Sequence, residues 1–192
     1  MNNLGIVASS ISGSKTSTSS YESIATATGT GSSASVTFSS IPSTYSALQI
    51  RAFSKSTYTT SAFVSEMWLS INGDTGLNYT LHNLRGNGTA ASATGLATGN
   101  YGYIPLQSSM SAGTGLTNMG GVAIWDIQDY ASTTKRSTVR AIGGADANGT
   151  VTGYISMVSG LWNNTAAVSS LTFTVDNGSL ATSTTFALYG IK

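Results

Sequence analysis

The side chains able to do chemistry are few in this chain. His82 is the one histidine among 192 residues. A catalytic triad would need it beside a nucleophilic serine and an orienting aspartate. With 32 serines, some Ser near some Asp is inevitable, and no G-x-S-x-G elbow is present. His82 therefore reads as a strand histidine bonded to a neighbour, because a site is recognised by convergent geometry. Asp126 and Asp129 lie close together beside Tyr130, and paired carboxylates suit glycoside hydrolysis. That chemistry also requires an aromatic groove and an acid of raised pKa, so a strand-end role capping backbone amides is the expectation. Asn72-Gly73-Asp74 with Asn78 offers oxygen ligands for a divalent cation but lacks the spaced carboxylates of an EF-hand. A hairpin turn is expected there instead. Gly86-Asn87-Gly88 and Gly143-Gly144 do not join a strand to a helix, as a phosphate loop must. They are expected at positive-φ corners. No catalytic residue, metal ligand or cofactor is assigned.

The three indoles could stack on sugars, but they also bury large areas and seek a partner for the N–H. Trp125 lies in the most apolar run, GVAIWDIQDY, and is expected in the core. Trp68 points away from the Met67–Ile71 side of its strand, and Trp162 sits at a strand end before Asn-Asn. Aromatic and arginine side chains are enriched at interfaces. Trp68, Trp162 and Arg51 are accordingly the candidates for a subunit interface. Arg51, Arg85, Arg136 and Arg140 are expected to pair with Asp126, Asp129, Asp146 or Asp176.

Composition points the same way. Lys and Arg number 8 and Asp and Glu 7, giving a net charge of +1, against 32 Ser and 28 Thr. Charged residues are 8% of the chain, where about 25% is usual. The longest basic cluster is Lys135–Arg136, so the phosphate-neutralising stripe of a nucleic-acid binder is missing. Cysteine is absent, which excludes thiolate catalysis and a disulfide scaffold. No apolar run is long enough for a membrane helix, and the N-terminus does not read as a signal peptide. Neither nucleic acid nor membrane is an expected partner. Such a chain suits making a surface better than running a reaction.

The elements that must position these residues are strands. Tyr21–Thr28 and Ser35–Ser39 flank a Gly-Thr-Gly turn and suggest a hairpin. Ala47–Lys55 places Leu48, Ile50 and Ala52 on one face; Phe63–Ile71 does the same with Met67, Leu69 and Ile71, and Tyr79–Leu84 with Tyr79, Leu81 and Asn83. Residues 86–100 read as a loose Gly/Ala/Thr loop, followed by an edge strand at Tyr101–Leu106 because of Pro105. Gly121–Tyr130 reads as a strand covered on both faces. Ser137–Ile142, Gly153–Leu161, Ser169–Val175 and Thr185–Ile191 complete the set, with room for a helical turn only in Asp126–Arg136. About ten short strands and no helical period predict an all-β fold, an antiparallel jelly-roll-like β-sandwich over 21–192. Residues 1–20 read as an extended N-terminal arm whose apolar points, Leu4, Ile6, Val7 and Ile11, would bind a partner.

Several stretches resemble a family of small virion structural proteins of tailed bacteriophages of the cyanophage type. These are Leu4–Ser14 (LGIVASSISGS), Tyr21–Ile24 (YESI), Phe38–Arg51 (FSSIPSTYSALQIR), Ile71–Asn78 (INGDTGLN) and His82–Gly88 (HNLRGNG), then Ile127–Tyr130 (IQDY), Gly160–Thr165 (GLWNNT) and Phe186–Lys192 (FALYGIK). They are turn-and-strand motifs spread over almost the whole chain. The resemblance implies a β-sandwich component of a phage particle, usually a trimer. The expectation is a non-enzymatic capsid decoration (cement) protein on the virion surface, bound as a homotrimer to the major capsid protein and stabilising its shell. The alternative is a tail or fibre module recognising a host receptor or glycan through residues 86–100 and 113–118, with Tyr101, Tyr103 or Trp162 stacking on sugars.

Overall fold

A computed structural model describes residues 20–59, 64–113, 118–147 and 153–192. Among these are twelve β-strands in two sheets. The larger sheet has the order β1 (Tyr21–Thr28), β12 (Thr185–Ile191), β3 (Ala47–Ser54), β8 (Gly121–Gln128), β9 (Thr138–Ala145), β10 (Tyr154–Trp162), β5 (Tyr79–Gly86), β6 (Ala91–Tyr101). The smaller has the order β2 (Ser35–Phe38), β11 (Leu171–Val175), β4 (Val64–Ile71), β7 (Ile104–Ser111). Every ladder between these strands is antiparallel. With the pairs β5–β6 and β9–β10 set aside, the orders become β1-β12-β3-β8 and β2-β11-β4-β7. That interleaving is the strand order of a jelly roll. The two extra pairs widen one sheet beyond β8.

The core lies between the sheets, where period-two alternation sends one face of each strand. Leu48, Ile50 and Ala52 of β3, Met67, Leu69 and Ile71 of β4, and Tyr79, Leu81 and Asn83 of β5 are all buried, as the alternation predicts. Phe173 of β11 is the meeting point of the aromatic rings. It lies edge-on to Trp125 at 5.6 Å and to Phe38 at 6.5 Å, and tilted against Phe186 at 5.3 Å. Pro105 stands on β7, an edge strand, as expected of a residue with no N–H to donate.

Four expectations are corrected. β1 and β2 do not form a hairpin: β1 pairs with β12 in one sheet and β2 with β11 in the other, so the Gly-Thr-Gly stretch carries the chain across the sandwich. Asn72-Gly73 has φ of 53° and 67° with an Asp74 N–H to Ile71 carbonyl bond at 2.9 Å, the geometry of a type I′ turn, yet it too joins strands of opposite sheets. Residues 91–101 are a strand rather than a loop, held by the β5 ladder although their side chains are small. Asp126–Arg136 holds turns and bends after β8 ends and no helical turn.

Beyond the β3–β8 ladder, one side chain of the Ile127–Tyr130 segment reaches the loop that precedes β3. The buried Tyr130 hydroxyl donates to the Pro42 carbonyl at 2.5 Å and accepts the Tyr45 N–H at 3.1 Å, which fixes the crossing between β2 and β3. The Tyr45 ring in turn lies against Gly190, where any Cβ would collide with it. Replacing Tyr130 by Phe keeps the packing but leaves both backbone groups without this partner. The expected loss is about 1–2 kcal/mol, read as a lower urea midpoint with an unchanged far-UV CD spectrum.

Candidate functional site

The structure does not bring the sequence's candidate acids and bases together. His82 is exposed on β5, its ring lying across Gly95 of β6. Asp126 accepts hydrogen bonds from Gln49 Nε2 at 2.8 Å and Arg140 at 3.2 Å, while Asp129 pairs with Lys135 at 3.0 Å. The expected Arg–Asp pairing is thus met by Arg140. Arg136 instead donates to Asn163 Oδ1, and Arg85 reaches Ser108 and lies over the Tyr154 ring. Gly88 has a positive φ, as expected, but Gly143 and Gly144 lie within β9, where neighbouring backbone approaches too closely for a side chain.

Asp74 is held by donors rather than poised for a cation. Its oxygens accept Trp162 Nε1 at 2.8 Å, the Gly76 N–H at 2.8 Å and Asn78 Nδ2 at 3.0 Å. Partial burial pushes its carboxyl up, but the bonds from Trp162, Asn78 and Gly76 outweigh this and hold it below the usual aspartate range. Asn72 stitches the same end of the sandwich: its Oδ1 accepts the Ser169 and Ser170 N–H groups and its Nδ2 donates to the Ala167 carbonyl. Trp162 is only 1% exposed, so its expected place at a subunit interface is corrected: its surface is buried within the chain.

Trp68 is half-buried, stacked on Tyr103 at 4.2 Å and 13°, with Tyr101 edge-on to Tyr103 at 5.2 Å. Its indole N–H donates to Glu66 at 3.2 Å. Burial pushes the Glu66 carboxyl above its ordinary range, the Trp68 bond draws it back, and nearby Asp176 pushes it up again. Sequence reading passed over Glu66 because it is an unpaired acid in an alternating strand. A raised acid near a second carboxylate is a glycosidase pattern. Here Asp176 is engaged as a turn cap, accepting the Glu66 and Asn177 N–H groups at 3.1 and 2.9 Å. Arg51 is exposed, its guanidinium 5.8 Å from the ring centres of both Tyr21 and Tyr189, with Nε on Gln49 at 3.0 Å. Leu4, Ile6, Val7 and Ile11 lie outside the described residues.

The surface feature that stands out is the outer face of the larger sheet. β8 was expected to be covered on both faces, but only Ala123, Trp125 and Ile127 are buried, and Val122 and Ile124 face outward, uncovered by the described residues. The registers align these residues with their neighbours. One row crosses the sheet as Phe53, Val122, Gly144 and Ile155; the next as Arg51, Ile124, Ile142, Met157 and Leu84. All seven large apolar side chains in these rows are exposed. A groove of about 540 Å³ runs over Gly143 and Gly144 between Val122 and Ile155. The exposed apolar area is on the order of 600 Å², at the upper end of what a lone soluble chain presents.

Searches against protein-family models, curated proteins and solved structures matched this chain to none of them.

Asp74 generates a pH prediction. Its folded pKa is lowered from 3.8, so its contribution is complete above that value and is lost as pH falls through the lower, folded pKa. Asp74→Asn should cost about 1–3 kcal/mol at neutral pH. It should also flatten the acid limb of a stability-against-pH curve measured by urea unfolding.

Proposed function

We propose that this chain is a non-enzymatic virion structural protein, a capsid decoration (cement) protein that binds the major capsid shell of a tailed phage as a trimer and stabilises it. The observation that carries the reading is the broad apolar face on the outside of the larger sheet, with Arg51 as its one ionised side chain, which fits a chain that works within an assembly. A face of this kind binds by shape and by release of water, with little charge to desolvate. At about 25 cal/mol per Å², covering it supplies on the order of 15 kcal/mol before the comparable costs of association are subtracted. The jelly-roll strand order and the phage-like motifs support the same reading. Three chains acting together would hold a lattice by avidity even where each contact is weak.

The tail or fibre alternative takes its support from the Tyr101–Tyr103–Trp68 aromatic group. That support is smaller, because Trp68 and Tyr103 cover each other and Trp162 is buried. The segment 91–101, assigned to a contact loop in that reading, is a paired strand.

Antibody raised against the chain is expected to label the heads of purified particles in a regular array. Label confined to tails would transfer the protein to the alternative, and absence of label on any particle overturns both. Removing residues 1–20 should reduce retention on purified capsids several-fold in a sedimentation assay; unchanged retention rules out an arm contribution.

A further inference from the structure

We infer that the outer face of the larger sheet is where copies of this chain join one another, the occupant of the face being a second copy. This deepens the proposed assembly role by naming the self-contact, and it can fail separately from the capsid reading.

Area argues first. A stable interface removes about 800 Å² from each partner. The apolar rows supply most of that, and the polar margin beside them supplies the remainder. Val122 and Ile155, on either side of the groove, are each 61% exposed.

Relief argues second. In the first row Gly144 leaves a gap between Val122 and Ile155, and in the next row Ile142 stands between Ile124 and Met157 as a ridge. The gap is the floor of the 540 Å³ groove. Aliphatic side chains of a partner can seat in such a groove, and every copy carries both the ridge and the gap. Between identical chains such a contact makes a two-fold pair, or a ring where the rotation closes.

Charge argues third. The two rows hold a single ionised side chain, Arg51, at one end. The margins hold the ion pair Arg140–Asp126, and Asp146 at the mouth of the groove, so the face with its margins carries no net charge. Two copies can therefore approach without an overall like-charge field. A strongly charged partner would find no complementary field on this face.

The test uses the full chain in light-scattering-coupled gel filtration at micromolar concentration. The expected result is a dimer or trimer that becomes a monomer in Val122→Lys and in Ile155→Lys. Both positions are solvent-facing, so the far-UV CD spectrum and urea midpoint should stay close to those of the parent. A second readout does not depend on weakening the contact. The chain has no cysteine, so Ile142→Cys introduces a lone thiol on the ridge. A short bismaleimide linker should join Ile142→Cys chains covalently, and Leu77→Cys chains, exposed away from the face, should stay single. A monomeric parent chain overturns the inference, as does an oligomer that survives both lysine variants. Labelled heads together with a monomeric parent would leave decoration standing without a trimer in solution. A face-dependent oligomer with unlabelled particles would leave only the self-contact.

Discussion

Burial between two sheets of unequal width is the interaction on which the rest of this structure depends. Trp125, Phe38 and Phe186 converge on Phe173, and aliphatic residues from β3, β4, β5 and β8 close around them. Electrostatics contributes little to holding this together. The ion pairs Lys135–Asp129, Arg140–Asp126 and Lys192–Glu22 all have solvent-accessible partners, and pairs of that kind are worth about 0–1 kcal/mol. The same alternation that fills the core also determines what is left outside. Each β8 residue that points inward obliges its neighbour to point away, and the chain's own second sheet lies on one side only.

Polar side chains act mainly as stitches between distant segments. Tyr130 ties the β2–β3 crossing to the end of β8, Asn72 ties the end of β4 to the approach to β11, and Asp74 ties that same turn to Trp162. Each of the three pins a place where the chain changes sheet. A jelly roll changes sheet repeatedly, so it needs several such pins.

Much of this was legible from residues alone, and the failures have identifiable physical causes. Alternation gave the buried faces of β3, β4 and β5, and strand-forming residues between turn signals gave the bounds of β1 and β12. Alternation carries no information about which sheet a strand joins, so the hairpin expected across Gly29–Gly31 became a crossing. β6 escaped notice because its Ala, Gly and Thr side chains have no apolar period; its backbone ladder with β5 alone makes it a strand. The apolar run in β8 reads as doubly covered because composition alone does not separate a buried face from an exposed apolar one. Trp162 was placed at an interface from its position beside Asn163 and Asn164, whereas Asp74, far off in sequence, supplies the indole's partner and draws it inward.

The two strand pairs outside the jelly-roll order divide the sheet into two kinds of position. Ile142, Ile155, Met157 and Leu84 all belong to β9, β10 and β5, which lie outside the eight-strand topology and are joined to it side by side. The inward residues of these strands carry the folding load, while their outward residues touch nothing that the jelly roll requires. Substitutions there can change the character of the exterior without disturbing the aromatic centre. The fold thus separates the part of the molecule that must stay the same from the part that is free to follow whatever it meets.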